Sequence, residues 1–393
     1  MPVAAAPTDL RALRRHYHRR LLAEVDLRRL TSGPPDALAA ALGAAVADMA
    51  AGERRVLSPA DRSALVGAVV DEVLGLGPLQ PLLDDPSVTE VIANGPREVW
   101  VERDGRLARA EARFDSPEHL RHVIDRVVAP LGRRVDDASP MVDARLPDGS
   151  RVNAVLPPLA LDGPLLTIRR FPARPLDAAD LLRHGAWDEA TAAWLATAVA
   201  KRRSIVVSGG TGSGKTTVLG VLAGWCHPTE RILTIEDAAE LRVALPHVVR
   251  LEARPANVEG RGEITMRALV RNALRMRPDR IIVGEVRGPE AVDMLAAMHT
   301  GHDGSMTTVH ANSPADALRR IETMALMAGL GLPLEAVREQ VHAAVDVVVQ
   351  LVRRPDGSRR VREIVEVVRC PGRDVVIRPV EVAAPSGEID GAA

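Results

Sequence analysis

The apolar run Ser204–Ser208 leads directly into Gly209-Gly210-Thr211-Gly212-Ser213-Gly214-Lys215-Thr216, and an apolar segment through Leu222 follows. This is the pattern G-x-x-x-x-G-K-[ST] in the strand–loop–helix setting it requires. It leaves the chain few choices. A buried strand must deliver the backbone to a glycine loop whose N–H groups turn inward, and a helix must begin there with the positive end of its dipole facing the loop. Such a loop cradles phosphates. Gly209, Gly210, Thr211, Gly212, Ser213, Gly214, Lys215, Thr216 and Thr217 are the expected nucleotide-binding residues, with ATP as ligand. Lys215 pairs with the β- and γ-phosphates and Thr216 holds Mg²⁺ through its hydroxyl. Of 51 basic residues only Lys201 and Lys215 are lysine. A compact ammonium is retained where a planar guanidinium does not fit between phosphate oxygens.

From Ala186 the pattern alternates helix, strand, loop and helix, the signature of a parallel sheet with helices on both faces. Apolar runs after Val361 suggest an antiparallel edge. Upstream the period changes. Residues 8–30, from about Asp36 to Met49, and from Ser58-Pro59 to about Leu74 read as helices, the last with a cap and a first-turn proline. Val88–Ile92, Val99–Val101, Met141–Leu146, Arg151–Leu156 and Leu165–Arg170 read as strands, with turns at Asn94-Gly95, Asp104-Gly105 and Pro147-Asp148-Gly149. Ser116-Pro117 opens another helix. The expected organisation is a helical region at 1–75, a small α+β domain at 76–172, a linker at 173–187, a nucleotide-binding domain at 188–380 and a disordered tail at 381–393.

Composition excludes some alternatives. The formal net charge is −1 and there are seven aromatic side chains, which offers neither the basic face nor the stacking platforms of a single-strand binder. No run of about 18 apolar residues marks a membrane span. Met1–Leu10 lacks the charged-then-apolar pattern of a secretory signal, so cytoplasmic residence is expected. Cys226 and Cys370 match no zinc spacing and read as buried small apolar residues. His299, His302 and His310 match none either.

Hydrolysis needs a group that orients or deprotonates water. Two acidic clusters end apolar runs: Ile232–Ile235 before Glu236 and Asp237, and Ile281–Val283 before Gly284 and Glu285. In the second, glycine occupies the position where an aspartate usually holds metal. Coordination then rests on Thr216, phosphate oxygens, water and, through water, Glu285.

The order of these residues resembles a family. Thr234-Ile235-Glu236-Asp237-Ala238-Ala239-Glu240-Leu241 resembles the Asp box of secretion ATPases. Gly284-Glu285-Val286-Arg287 resembles their atypical Walker B motif. Gly301-His302 through Thr308-Val309-His310-Ala311-Asn312 resembles their His box. Asp143 to Asn153 and Thr167-Ile168-Arg169-Arg170-Phe171 resemble the N-terminal domain of the CpaF/TadA branch of the type II/IV secretion ATPase superfamily. The resemblance runs from about Leu74 to Val368.

It implies an α/β fold, with a RecA-like P-loop ATPase domain preceded by a small α+β domain and an N-terminal helical extension. It also implies a cytoplasmic homohexamer at the inner face of the membrane, hydrolysing ATP to drive assembly or secretion of a pilus through inner-membrane platform proteins. By this match Glu236 is the water-activating carboxylate and Glu285 the Walker B glutamate, a division of labour left open between them. His310 senses the γ-phosphate or braces an interface, and His302 has a similar role. Arg145, Arg151, Arg169 and Arg170 are candidate arginine clamps on nucleotide, and Arg287 is a candidate at a subunit interface. Arg254–Gly262 reads as a mobile loop. The alternative function is a nucleic-acid translocase or conjugation-associated ATPase on the same core, although direct nucleic-acid binding is not expected.

Overall fold

The computed structural model describes residues 9–24, 35–53, 57–103, 105–131, 133–146, 148–170, 174–256, 261–368 and 376–381. The turn residues Asp104 and Pro147, Phe171, the first residue of the expected linker, Ala173, Cys370, and 382–393 of the expected tail lie outside the described residues. The chain divides into two compact units, Met1–Ala173 and Arg174–Ala393.

The first unit opens with α1 (Leu10–Glu24), α2 (Pro35–Gly52) and α3 (Pro59–Val73). Leu13, Tyr17 and Leu21 recur every fourth residue, as do Leu42, Val46 and Ala50, and Leu65 and Val69; these stripes form one buried core. Ser58 caps α3, its hydroxyl accepting from the Asp61 amide at 3.0 Å. A short α4 (Gln80–Asp84) leads to β1 (Val88–Asn94), β2 (Glu98–Arg103), β3 (Arg106–Arg109), α5 (Pro117–Val128), β4 (Met141–Arg145), β5 (Arg151–Val155) and β6 (Leu165–Arg169). The strands form an antiparallel sheet in the order β3-β2-β1-β6-β5-β4. Val91, Val101, Val152 and Ile168 point to one face, where Leu120, Ile124 and Val127 of α5 bury them. A charged cluster ties the bundle to the start of α5: Arg14 meets Glu72 at 3.2 Å and Asp115 at 2.5 Å, and His119 bonds Glu72.

The second unit contains α6 (Ala178–Arg183), α7 (Glu189–Ala200), β7 (Ile205–Gly209), α8 (Lys215–Gly224), β8 (Ile232–Glu236), β9 (Val248–Glu252), α9 (Met266–Ala273), β10 (Arg280–Val283), α10 (Glu290–His299), β11 (Met306–Val309), α11 (Pro314–Leu326), α12 (Leu334–Ala344), β12 (Val347–Arg353), β13 (Arg359–Val368) and β14 (Val376–Pro379). Within the stretch expected as a linker, α6 forms under a capping box between Asp177 and Asp180 and buries Leu181. Its six residues are too few to show a period.

The sheet order is β14-β13-β12-β7-β11-β10-β8-β9. The run from β12 to β9 is parallel, and β13 and β14 form an antiparallel edge. Successive residues feed opposite cores. Val206, Ile281, Val283 and Val348 pack under α9–α12, while Ile205, Val207, Ile282 and Val349 pack under α6–α8. Burial on both faces explains why these strands are unbroken apolar runs. Among the described residues no single helix is long and apolar enough to cross a membrane.

Candidate functional site

In a parallel sheet every strand delivers its loop to the same edge. The carboxyl ends of β7, β11, β10 and β8 therefore converge, and they carry the glycine loop, His310, Glu285 and Glu236 in that order. The order matters because β11 lies between β7 and β10. His310 is thus the side chain able to reach both the loop and Glu285.

The loop is tightly built. Gly212 and Gly214 have φ of 69° and 93°, backbone that L side chains rarely adopt. At Gly209 the constraint is close approach, since a Cβ would lie 2.5 Å from Ser213 Oγ and 2.8 Å from the Leu351 carbonyl. Gly214 is the residue before α8, so the loop ends on that helix's N-terminus. Lys215 is 7% exposed. Its Nζ donates to the Gly209 and Gly210 carbonyls at 3.1 and 2.8 Å, which holds the ammonium against the loop. Ser213 Oγ donates to the Gly210 carbonyl at 2.9 Å. Thr216 and Thr217, in the first turn of α8, are half-buried.

From the loop a polar chain runs across the sheet edge. Thr211 Oγ1 lies 3.5 Å from His310 Nε2. His310 Nδ1 bonds Glu285 Oε1, and Arg287 donates to Glu285 Oε2 at 2.6 Å. Burial pushes the Glu285 carboxyl up, but the hydrogen bonds from Arg287 and His310, with their charges, outweigh it and leave its pKa below the ordinary value. An ionised carboxylate only accepts, so in the neutral imidazole the proton sits on Nδ1 and Nε2 accepts from Thr211.

Glu236 is held differently. It is 3% exposed, and its Oε2 accepts from the amides of Glu240 and Leu241 at 2.7 and 2.9 Å. Burial raises its pKa, and the two amides pull it back without cancelling the rise. Its register partner Glu252 accepts from the Ala239 amide at 2.9 Å, so two carboxylates hold one loop. The glycine at 284 now has a local cause: a Cβ there would stand 2.7 Å from Glu236 Cγ.

The structure does not bring His302 to this edge. It precedes β11, at the amino edge of the sheet, with its carbonyl accepting from Ser305 Oγ at 2.7 Å. Four strand residues separate it from His310, about 13 Å of extended chain. Arg145, Arg151 and Arg169 are register partners across β4, β5 and β6 and form a row in the first unit, next to Glu90 on β1. Arg145 Nε donates to the Gly149 carbonyl at 3.2 Å. Arg170 donates to the carbonyls of Asp85 and Val88, the latter at 2.9 Å. The loop after Arg254 is closed at its base by paired backbone bonds between Arg254 and Ile264, at 2.9 and 2.8 Å, with 257–260 outside the described residues.

Sequence reasoning missed Gln350, 3% exposed on β12, whose Nε2 donates at 3.3 Å to the carbonyl of Ala311, the residue after His310. A lone glutamine amid the valines of β12 was the available signal.

A parallel sheet with a glycine loop after one strand, acidic residues after two others and an antiparallel edge defines a nucleotide-binding domain of the RecA-like class. The chain belongs to the type II/IV secretion system protein family, whose model matches residues 72–382. It is 45% identical over 308 residues to a putative conjugal transfer protein of Mycobacterium tuberculosis, covering 77% of this chain and 87% of that protein. It is 36% identical over 289 residues to the conjugal transfer protein TrbB of Rhizobium radiobacter, covering 72% and 85%. The solved structure of the Legionella pneumophila ATPase DotB has the same fold, at TM-score 0.51 and 22% identity over 72% of this chain and 78% of that one.

Proposed function

We propose that this chain is an ATP-hydrolysing motor subunit that powers a secretion or pilus-assembly machine of the CpaF/TadA kind. The observation that carries the reading is the convergence of the glycine loop, His310, Glu285 and Glu236 on one edge of a parallel sheet. The cradle fits a triphosphate. Its backbone is compressed where glycines sit, its lysine is held within it, and a helix N-terminus faces it.

In this reading the loop amides and Lys215 bind the phosphates, and Thr216 and Glu285 hold Mg²⁺, the latter through water. The metal, when bound, neutralises charge on the phosphate oxygens. Glu285, kept ionised, orients the attacking water. His310 fixes the carboxylate's rotamer and reports to the loop through Thr211. A strong base is not needed, because phosphoryl transfer runs through a loose transition state in which positioning outweighs proton abstraction. Glu236 shapes the loop at 237–241 beside them. The subunits assemble as a homohexamer at the inner face of the membrane against inner-membrane platform proteins. Arg145, Arg151, Arg169, Arg170 and Arg287 are its candidate clamps.

A second reading is a conjugation-associated ATPase. It rests on the names of the relatives from M. tuberculosis and R. radiobacter, both called conjugal transfer proteins. One assay separates the two: phosphate release by the purified protein with and without single-stranded DNA and with membrane platform protein. Stimulation by platform protein alone supports the motor, and stimulation by DNA alone supports the second reading. Lys215→Ala should abolish turnover, a fall on the order of 10²–10³-fold or more. Turnover at the wild-type rate in that variant would remove the loop from the mechanism.

A further inference from the structure

The glycine loop has a neighbour that no motif marks. β12 pairs with β7 as far as Leu351 and Gly209, where β7 ends. β12 runs on to Arg353, turns, and returns as β13 from Arg359, its register partner. The tip of this hairpin therefore stands beside the loop. Arg353 Nη1 lies 3.1 Å from the position of a Cβ on Gly212, and Arg359 Cδ lies 3.6 Å from that on Gly214.

The hairpin is rigidly turned. Arg354 N donates to the Ser358 carbonyl at 2.8 Å, Gly357 N donates to the Arg354 carbonyl at 2.9 Å, and Asp356 Oδ1 accepts from both the amide and the hydroxyl of Ser358, at 2.8 and 2.6 Å. Between 353 and 360 it carries Arg353, Arg354, Arg359 and Arg360 against Asp356 alone. Placing two guanidiniums at directly opposed positions of a strand pair is unfavourable in itself. Their position beside a loop built to hold anions gives that arrangement a use.

We propose that Arg353 and Arg359 bind nucleotide phosphates from within the same subunit, completing the cradle on the side away from His310. The geometry gives each a reason to be arginine, since a guanidinium can fork on two phosphate oxygens across an exposed rim. The proposal rests on the loop's reading as a phosphate cradle and adds to it the sheet's antiparallel edge.

The test is the affinity of the full chain for fluorescent ATP and ADP analogues, with the melting temperature in the absence of nucleotide as a second readout. Arg353→Gln and Arg359→Gln should each weaken both ligands about tenfold, as expected for a lost charge-assisted bond. Arg353→Lys should recover part of the loss, and the nucleotide-free melting temperature should hold. Undiminished affinity in the double Gln variant, with the wild type binding, overturns this proposal alone. So does a loss of affinity that only follows a fall in melting temperature and is not relieved by lysine, because the hairpin then merely braces the loop. No binding by the wild type overturns the cradle itself.

Discussion

At the amino edge of the parallel sheet, Arg280 is 1% exposed and forks onto Glu230, Nε at 2.8 Å and Nη2 at 3.2 Å. Arg202 pairs with the same carboxylate and donates to the Asp279 carbonyl at 2.8 Å. Gly304, with φ 81°, passes so close that any Cβ would overlap the Arg280 guanidinium. At the carboxyl edge the polar groups are looser. Ser208 Oγ, Glu236 Oε1 and Gln350 Oε1 are buried there without a hydrogen-bond partner among the described residues, as are Thr234 Oγ1 within β8 and His302 Nδ1 toward the amino edge. Both edges gather charge into low-dielectric surroundings, where an unpaired group is costly. One edge closes its pairs on themselves and fixes the strand starts. The other keeps capacity in hand, as expected where a ligand is to be met.

Breaking each edge should therefore fail in a different currency. Glu230→Ala leaves a guanidinium buried without its partner, a loss of about 3–5 kcal/mol for the unit that contains it. Urea unfolding should show this, with nucleotide affinity unchanged in the folded fraction. Normal stability with lost binding would erase the contrast. Glu285→Gln should do the reverse. Turnover falls on the order of 10²–10³-fold while nucleotide affinity and unfolding midpoint stay close to wild type. A wild-type rate would show that Glu285 does not act on water.

Gly284→Ala probes the carboxyl edge more finely. The added methyl meets Glu236 Cγ at 2.7 Å, and overpacking of this kind costs about 1–3 kcal/mol. The three nearest atoms are all of Glu236, so although Glu236→Ala loosens the 237–241 loop and costs stability itself, adding Gly284→Ala in that background should cost little more. Strictly additive losses in that double-mutant cycle would mean the two positions do not touch.

Much of the carboxyl edge was legible in the sequence because its parts sit at the ends of apolar runs. The glycine loop follows Ile205–Ser208, Glu236 follows Ile232–Ile235, and Glu285 follows Ile281–Val283. The amino edge was not legible. Arg202, Glu230 and Arg280 read as ordinary charges before strands, and only the parallel stacking of β7, β8 and β10 brings them together. The same holds for the two histidines of Gly301–Asn312. A linear motif places them side by side, but β11 is extended between them and carries them to opposite edges. Arg353 and Arg359 were hidden for a related reason: their neighbour, the glycine loop, lies some 140 residues earlier in the chain.

The smallest expected effect concerns His310, and it separates positioning from chemistry. The Glu285 pKa is depressed in part by the hydrogen bond and charge of His310, against the upward push of burial. Removing the ring takes away a depressing influence and leaves burial in place, so the carboxyl pKa must rise. On the role proposed for Glu285 the active form is the carboxylate, present above that pKa and lost as pH falls through it. The acid limb of kcat/KM should therefore move to higher pH in His310→Asn, with a modest loss at the plateau from the freed rotamer. If His310 bound only the γ-phosphate, the plateau would fall and KM for ATP would rise, but the acid limb would stay where it was. A stationary limb thus breaks the link between His310 and Glu285, while a shifted limb with unchanged KM shows that the imidazole acts through the carboxylate beside it.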